Sequence, residues 1–185
     1  MQASNLRRAD LTIASTDLDA TITDPLATPR IEGTISARDI RQGGITVTDL
    51  SGKASHDGDV TNFSATANMD DGKLSLDGSI KPEGDGFAIT LSKAGGSWKG
   101  IETKLTKAAQ IVVENGQASI SDEDLALGGG SASISGTAGS NLDVSVNLNA
   151  VPMSLANAVA PGFGIEGTFS GTAHATGADS NPEAT

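Results

Sequence analysis

Along most of the chain, apolar residues stand at every second position and a glycine closes the run. The phrase reads Leu74-Ser-Leu-Asp-Gly78-Ser-Ile80. It returns as Ile31-Glu-Gly33-Thr-Ile35, as Ala132-Ser-Ile134-Ser-Gly136 and as Ile165-Glu-Gly167-Thr-Phe169-Ser-Gly171. Period two is the signature of a strand with one apolar and one polar face. Repetition along nearly the whole chain predicts a long sheet built by accretion, with function residing in a surface.

Strand candidates follow at close spacing. Leu11 and Ile13 alternate with polar residues, as do Leu18, Ala20 and Ile22, until Pro25 and Pro29 break the pattern. Ile31 to Ala37 is a strand, and Gln42-Gly-Gly44 turns the chain into Ile45-Thr-Val47. Asp70-Asp-Gly72 is a hairpin signal, and Pro82-Glu-Gly-Asp-Gly86 turns into Phe87-Ala-Ile89-Thr-Leu91. The pattern weakens from Lys93 to Lys107, where Ile101 and Leu105 fit either a ragged strand or a short turn of helix. It is cleanest from Asn141 to Leu148. One short helix is predicted near 153–160, with Ser154 as its N-cap and Pro161-Gly162 as its stop. Ile165 to Gly171 returns to strand. The expected organisation is a tail over 1–8, an elongated sheet over 9–177 with sub-halves 9–92 and 110–177, and a tail over 178–185.

Composition narrows this picture. Aromatic residues are 3% of the 185, too few for a thick core, so an open or extended sheet fits better than a compact sandwich. The net charge of -11 argues against binding to nucleic acid or docking on anionic membranes by charge. It suits an exposed sheet kept in solution. There are no cysteines, which excludes thiol chemistry and disulfides. No run of 18 apolar residues is present to span a membrane, and the start has no signal-peptide core. The chain reads as an excised piece of a longer protein, with Met1 added for expression.

Chemical constellations are sparse. His56 and His174 stand among polar residues and read as surface histidines. Asp57-Gly-Asp59, Asp70-Asp71 and Asp122-Glu-Asp124 read as turn acids, since no full calcium loop follows any of them. Gly128-Gly-Gly130 lacks the Lys-Ser/Thr of a phosphate loop. No Gly-x-Ser-x-Gly elbow precedes a helix. The expectation is therefore no enzyme, no catalytic residues, no cofactor and no metal. What remains is the apolar face: Ile35, Val47, Phe63, Leu76, Ile80, Ile89, Leu91, Ile134, Val144 and Val146. Such a face is either a covered sandwich core or an open groove holding something apolar.

The stretch Leu142-Asp-Val-Ser-Val-Asn-Leu-Asn-Ala-Val-Pro-Met-Ser-Leu-Ala-Asn-Ala, followed by Gly167-Thr-Phe-Ser-Gly171-Thr-Ala-His-Ala-Thr-Gly177, resembles the TamB family of cell-envelope proteins. Pro152, Leu155, Gly167, Gly171, Gly177 and Pro182 match that family's pattern. It consists of an alternating strand, a Pro-x-x-Leu helix, a Gly-x-apolar-x-Gly strand and a closing Gly-x-x-x-x-Pro. The stretch from Gly33 to Gly78 is similar to the same family and to the wider AsmA-like group. The resemblance implies an all-β fold, an antiparallel sheet folded over into a U-shaped β-taco with a hydrophobic interior.

It further implies the periplasm of a diderm bacterium, with the full-length protein anchored in the inner membrane. The implied role is outer-membrane biogenesis, as a lipid-transport bridge whose groove shields phospholipid acyl chains. The implied partner of the full-length protein is an Omp85-type outer-membrane barrel, as in the translocation and assembly module. This segment itself spans no membrane. Alternatives are a chaperone-like platform for assembling outer-membrane barrels and autotransporters, or a structural, adhesive β-solenoid of a surface protein.

Overall fold

Each run of alternation becomes a strand, because one apolar side gives the ladder a face to shelter while the other stays hydrated. The computed structural model describes residues 2–8, 11–23, 30–42, 45–159, 164–178 and 181–184. Pro25, Pro29, Gly43, Gly44, Pro161 and Gly162, read above as breaks or turns, lie outside them. In the first half the strands are β1 (Gln2–Arg8), β2 (Leu11–Thr23), β3 (Arg30–Gln42), β4 (Ile45–Asp57), β5 (Val60–Met69), β6 (Gly72–Glu83) and β7 (Gly86–Trp98). Then come β8 (Ile101–Leu105), β9 (Ala109–Glu114), β10 (Gln117–Leu127), β11 (Gly130–Ala138) and β12 (Asn141–Pro152). A single short helix, α1 (Ser154–Val159), precedes β13 (Thr168–Ala178) and β14 (Asn181–Ala184).

All fourteen strands form one antiparallel sheet whose spatial order is the chain order. β8 and β9 share one place: both pair with β7 on one side and with β10 on the other. The sheet therefore has thirteen strand positions, spanning roughly 58 Å at about 4.8 Å each. Tight turns make this meander possible. Asn115 and Gly116 join β9 to β10, both with positive φ, as the right-handed twist of a two-residue hairpin demands.

Several local expectations are corrected. Residues 2–8 and 181–184 are edge strands, not tails, pairing with β2 and β13. The weak region around Trp98 takes the ragged-strand alternative: β7 runs to Trp98, Lys99 and Gly100 turn the chain, and Ile101 and Leu105 belong to β8. Its ragged pattern comes from the break between β8 and β9. Asp70 and Asp71 make the β5–β6 turn, while Gly72 already belongs to β6. Ile165 to Gly167 is not strand, because the Gly167 carbonyl accepts the Met153 N–H that leads into α1.

The strands are not uniformly pleated. Asn5 of β1 and Asp39 of β3 have φ near +50°, and the ladder skips them together with Ala14 of β2. In β4 the same line ends at Thr48, where the β4–β5 register shifts by one residue. Asn and Asp tolerate this left-handed conformation better than other side chains. A second set of bulges crosses β7 beside Ser92, the β8–β9 break and β10 between Ile120 and Glu123. A third sits in β12 between Leu148 and Val151. Bulges bend and twist a strand, so each line is a crease running across the strands.

The sheet is concave toward its apolar side. Over Gly52 of β4, Ile35 Cγ2 from β3 and Ala65 Cβ from β5 approach to 3.0 and 3.8 Å of the place a Cβ would take. At the far end, Pro152 Cγ and Ile101 Cγ2 both lie within 3.2 Å of the corresponding point on Gly128. β12 and β8 are three positions apart, about 14 Å in a flat sheet, so the end of β12 folds back across the β10–β11 turn.

Among the described residues, no second layer covers this side. The accessible surface is 11462 Å², about 40% above the roughly 8,200 Å² expected of a compact chain of 18.5 kDa. The buried apolar residues among those described are Ala37, Ala88, Ala109, Ala132 and Val151, too small to make a core. The space beside Gly78 is tight. A Cβ on Gly78 would stand 2.6 Å from the Phe63 ring and 2.5 Å from the Thr90 carbonyl oxygen. Gly78→Val should therefore destabilise the sheet by about 2 kcal/mol. Gly171→Ala, with nothing nearer than 3.7 Å, should cost less than about 0.5 kcal/mol. Urea denaturation of the two variants checks this.

Candidate functional site

Residues paired directly opposite one another in adjacent strands present their side chains to the same face. The register therefore sorts every side chain. Ile35, Gly52, Ala65, Leu76 and Ala94 make one cross-strand row. Phe63, Gly78, Leu91 and Ala109 make the next. A third runs through both halves: Ile80, Ile89, Ile111, Ile120, Gly136, Val144 and Ala175. Ile134 and Val146 stand opposite each other one row further on. Val47 joins the same face through the bulge at Thr48 and faces Met69. All ten residues singled out from the sequence thus lie on one continuous face.

Of one further row, only Val47 was singled out from the sequence. Leu6, Ile13, Ile40, Val47, Met69, Gly72, Trp98 and Ile101 stand side by side from β1 to β8. In unbroken alternation Leu6, Ile13, Ile40 and Val47 would point away from Leu18, Ile35 and Leu50. The inserted residue in each strand reverses the alternation and brings them round. The αL-tolerant Asn5 and Asp39 are the only trace of this in the sequence.

This face is greasy and open. Among the described residues, Leu6, Leu18, Ile35, Ile45, Leu74 and Phe169 are large, apolar and exposed, and the register puts all six on it. An apolar surface of this extent on a monomer marks a place where something binds. One end is capped. Leu155 of α1 lines an apolar hollow of about 170 Å³ with Met69, Leu74, Trp98, Ile101 and Leu127. Trp98, the single tryptophan, is half-buried there, with Lys99 Nζ 4.6 Å from its ring centre.

The opposite face is polar and carries the ion pairs. Arg38 meets Asp49 at 3.6 Å, and His174 Nε2 lies 2.7 Å from Asp143 Oδ1. Such exposed pairs contribute little to stability. His174 is half exposed, and His56 is also exposed, as the sequence led us to expect. The larger hollow on this side, about 550 Å³, is lined by Lys73, Lys104, Glu102, Thr66 and Ser75. No group of three or more metal-ligating side chains occurs among the described residues. No described helix is long and apolar enough to cross a membrane.

One charged side chain stands on the wrong side. Apart from the bulge residues, Glu123 is the only Asp, Glu, Lys or Arg among the described side chains that the register assigns to the apolar face. It is buried, and its Oε1 accepts the Gln110 N–H at 2.8 Å, bridging the break between β8 and β9. The sequence reading counted Glu123 as a turn acid. Its place inside the sheet depends on the bulge before it, which no local pattern announces.

Comparison of the chain with models of protein families, with curated proteins and with solved structures gave no match. The arrangement itself therefore bears the functional argument. Leu155→Ala should open the capped end, raising collisional quenching of Trp98 by acrylamide and shifting its emission to the red. Unchanged quenching would mean that α1 does not seal this end.

Proposed function

We propose that the apolar face is a groove that shields lipid acyl chains from water. The observation that carries this reading is the single face shared by ten aliphatic and aromatic residues, which nothing among the described residues covers except at the end capped by α1. A chain laying about ten methylenes on that face gains on the order of 8 kcal/mol before ordering costs. The sites along it are many and alike, which lets a chain slide instead of lodging in one deep pocket. The breadth of roughly 58 Å suits a stretch of conduit, and the acidic, polar outer face suits an aqueous compartment.

Together with the TamB-like pattern at Pro152, Leu155, Gly167 and Gly171, these features support a periplasmic segment of an envelope-spanning protein. Its role is outer-membrane biogenesis by passage of phospholipid between the inner and outer membranes. Its partner at the far end is an Omp85-type barrel. The scarcity of buried apolar side chains among the described residues weighs against a closed, adhesive solenoid.

Arginine on the face tests the reading. Leu76→Arg, Ile89→Arg and Val144→Arg should each strip co-purifying phospholipid from the protein, because a charge cannot be desolvated beside an acyl chain. Ser75→Arg and Ser145→Arg, on the polar side, should leave it bound. Mass spectrometry of extracted lipid gives the readout, with circular dichroism confirming the sheet. A native protein free of lipid, or loss of lipid from both sets alike, overturns the reading.

A further inference from the structure

Glu123 has a half that the fold does not use. Its Oε1 is fixed by the Gln110 N–H at 2.8 Å, closing the ladder where β8 gives way to β9. Its Oε2 is buried with no hydrogen-bond partner among the described residues, and the residue as a whole is 8% exposed. An ionised carboxylate oxygen left alone in an apolar setting is costly, and such groups persist where something else meets them. Ile134 stands directly opposite on β11, and Leu125 lies two residues along on the same face. A fully hydrated cation does not suit these surroundings. The complement is a ligand that is apolar right up to a charged N–H donor.

Resting on the reading of the face as an acyl-chain groove, we infer that Glu123 Oε2 receives the primary ammonium head of an amphiphile whose chain lies on the apolar face. The Gln110 bond holds the carboxylate in place, so the acceptor is oriented before the ligand arrives. The head reaches it by parting the flanking aliphatic side chains, which have no second layer behind them to resist. A hydrogen bond from an ionised donor to an ionised acceptor is stronger and more selective than charge attraction alone. The site thus distinguishes a primary amine from a quaternary one, which carries the same charge and no N–H.

Isothermal titration calorimetry on the whole chain tests this with three decyl amphiphiles, each below its micelle-forming concentration. They are decylammonium, decyltrimethylammonium and the uncharged decyl maltoside. The native protein should bind decylammonium about tenfold more tightly than decyltrimethylammonium. Glu123→Gln keeps an oxygen for the Gln110 N–H but offers the ligand no anion, and should bring the two affinities within about twofold. Asp77→Asn, an equal change of charge on the exposed outer face, should leave the preference intact. Equal affinities in the native protein, or a preference that survives Glu123→Gln, overturn the inference and mean that Glu123 only mends the ladder. In that case decyl maltoside still binds and the groove stands. Failure of all three amphiphiles to bind removes the groove reading as well.

Discussion

A strand has two faces, and one inserted residue exchanges them. Everything else in this structure depends on where those insertions fall. Without the line through Asn5, Ala14, Asp39 and Thr48, the lower ends of β1 to β4 would turn their leucines and isoleucines toward the polar side. With it, Leu6, Ile13, Ile40 and Val47 fall into step with Met69 and Trp98. The same insertions bend the strands, so one device keeps the face apolar and makes it concave.

The shape also follows from what the chain lacks. Aromatic residues are scarce and the buried apolar side chains among the described residues are four alanines and one valine, so no second sheet or helix layer has a core to close on. Hydrogen bonds between consecutive strands hold the sheet, and each strand meets chiefly its neighbours in sequence. β3 and β5 also approach each other across β4. α1 then follows as a local necessity. The chain leaves β12 through the strained Ala150, with φ near +50°, crosses the β10–β11 turn and sets Leu155 against Trp98.

Much of this was legible in the residues. Period-two runs marked the strands, and the ten chosen residues share a face because each was picked from a run that contains no insertion, or, for Val47 and Leu91, from beside one. The helix after Pro152 was visible in its own composition. The edge strands at 2–8 and 181–184 were hidden: Asn5 breaks the alternation of the first, and the second is four residues long. Glu123 was hidden for the same kind of reason. A bulge is a property of two strands in register, and no window of one strand contains it.

The most direct test is a lipid-contact scan across the Thr48 bulge. The chain has no cysteine, so single cysteines can be placed from 45 to 54 in turn and coupled to a benzophenone. The account predicts strong crosslinking to bound acyl chains at 47, 50, 52 and 54, and weak crosslinking at 46, 49, 51 and 53, with the phase reversing at Thr48. Unbroken alternation through 48, with position 47 silent while 50 reacts, would contradict it, as would equal yields on both faces.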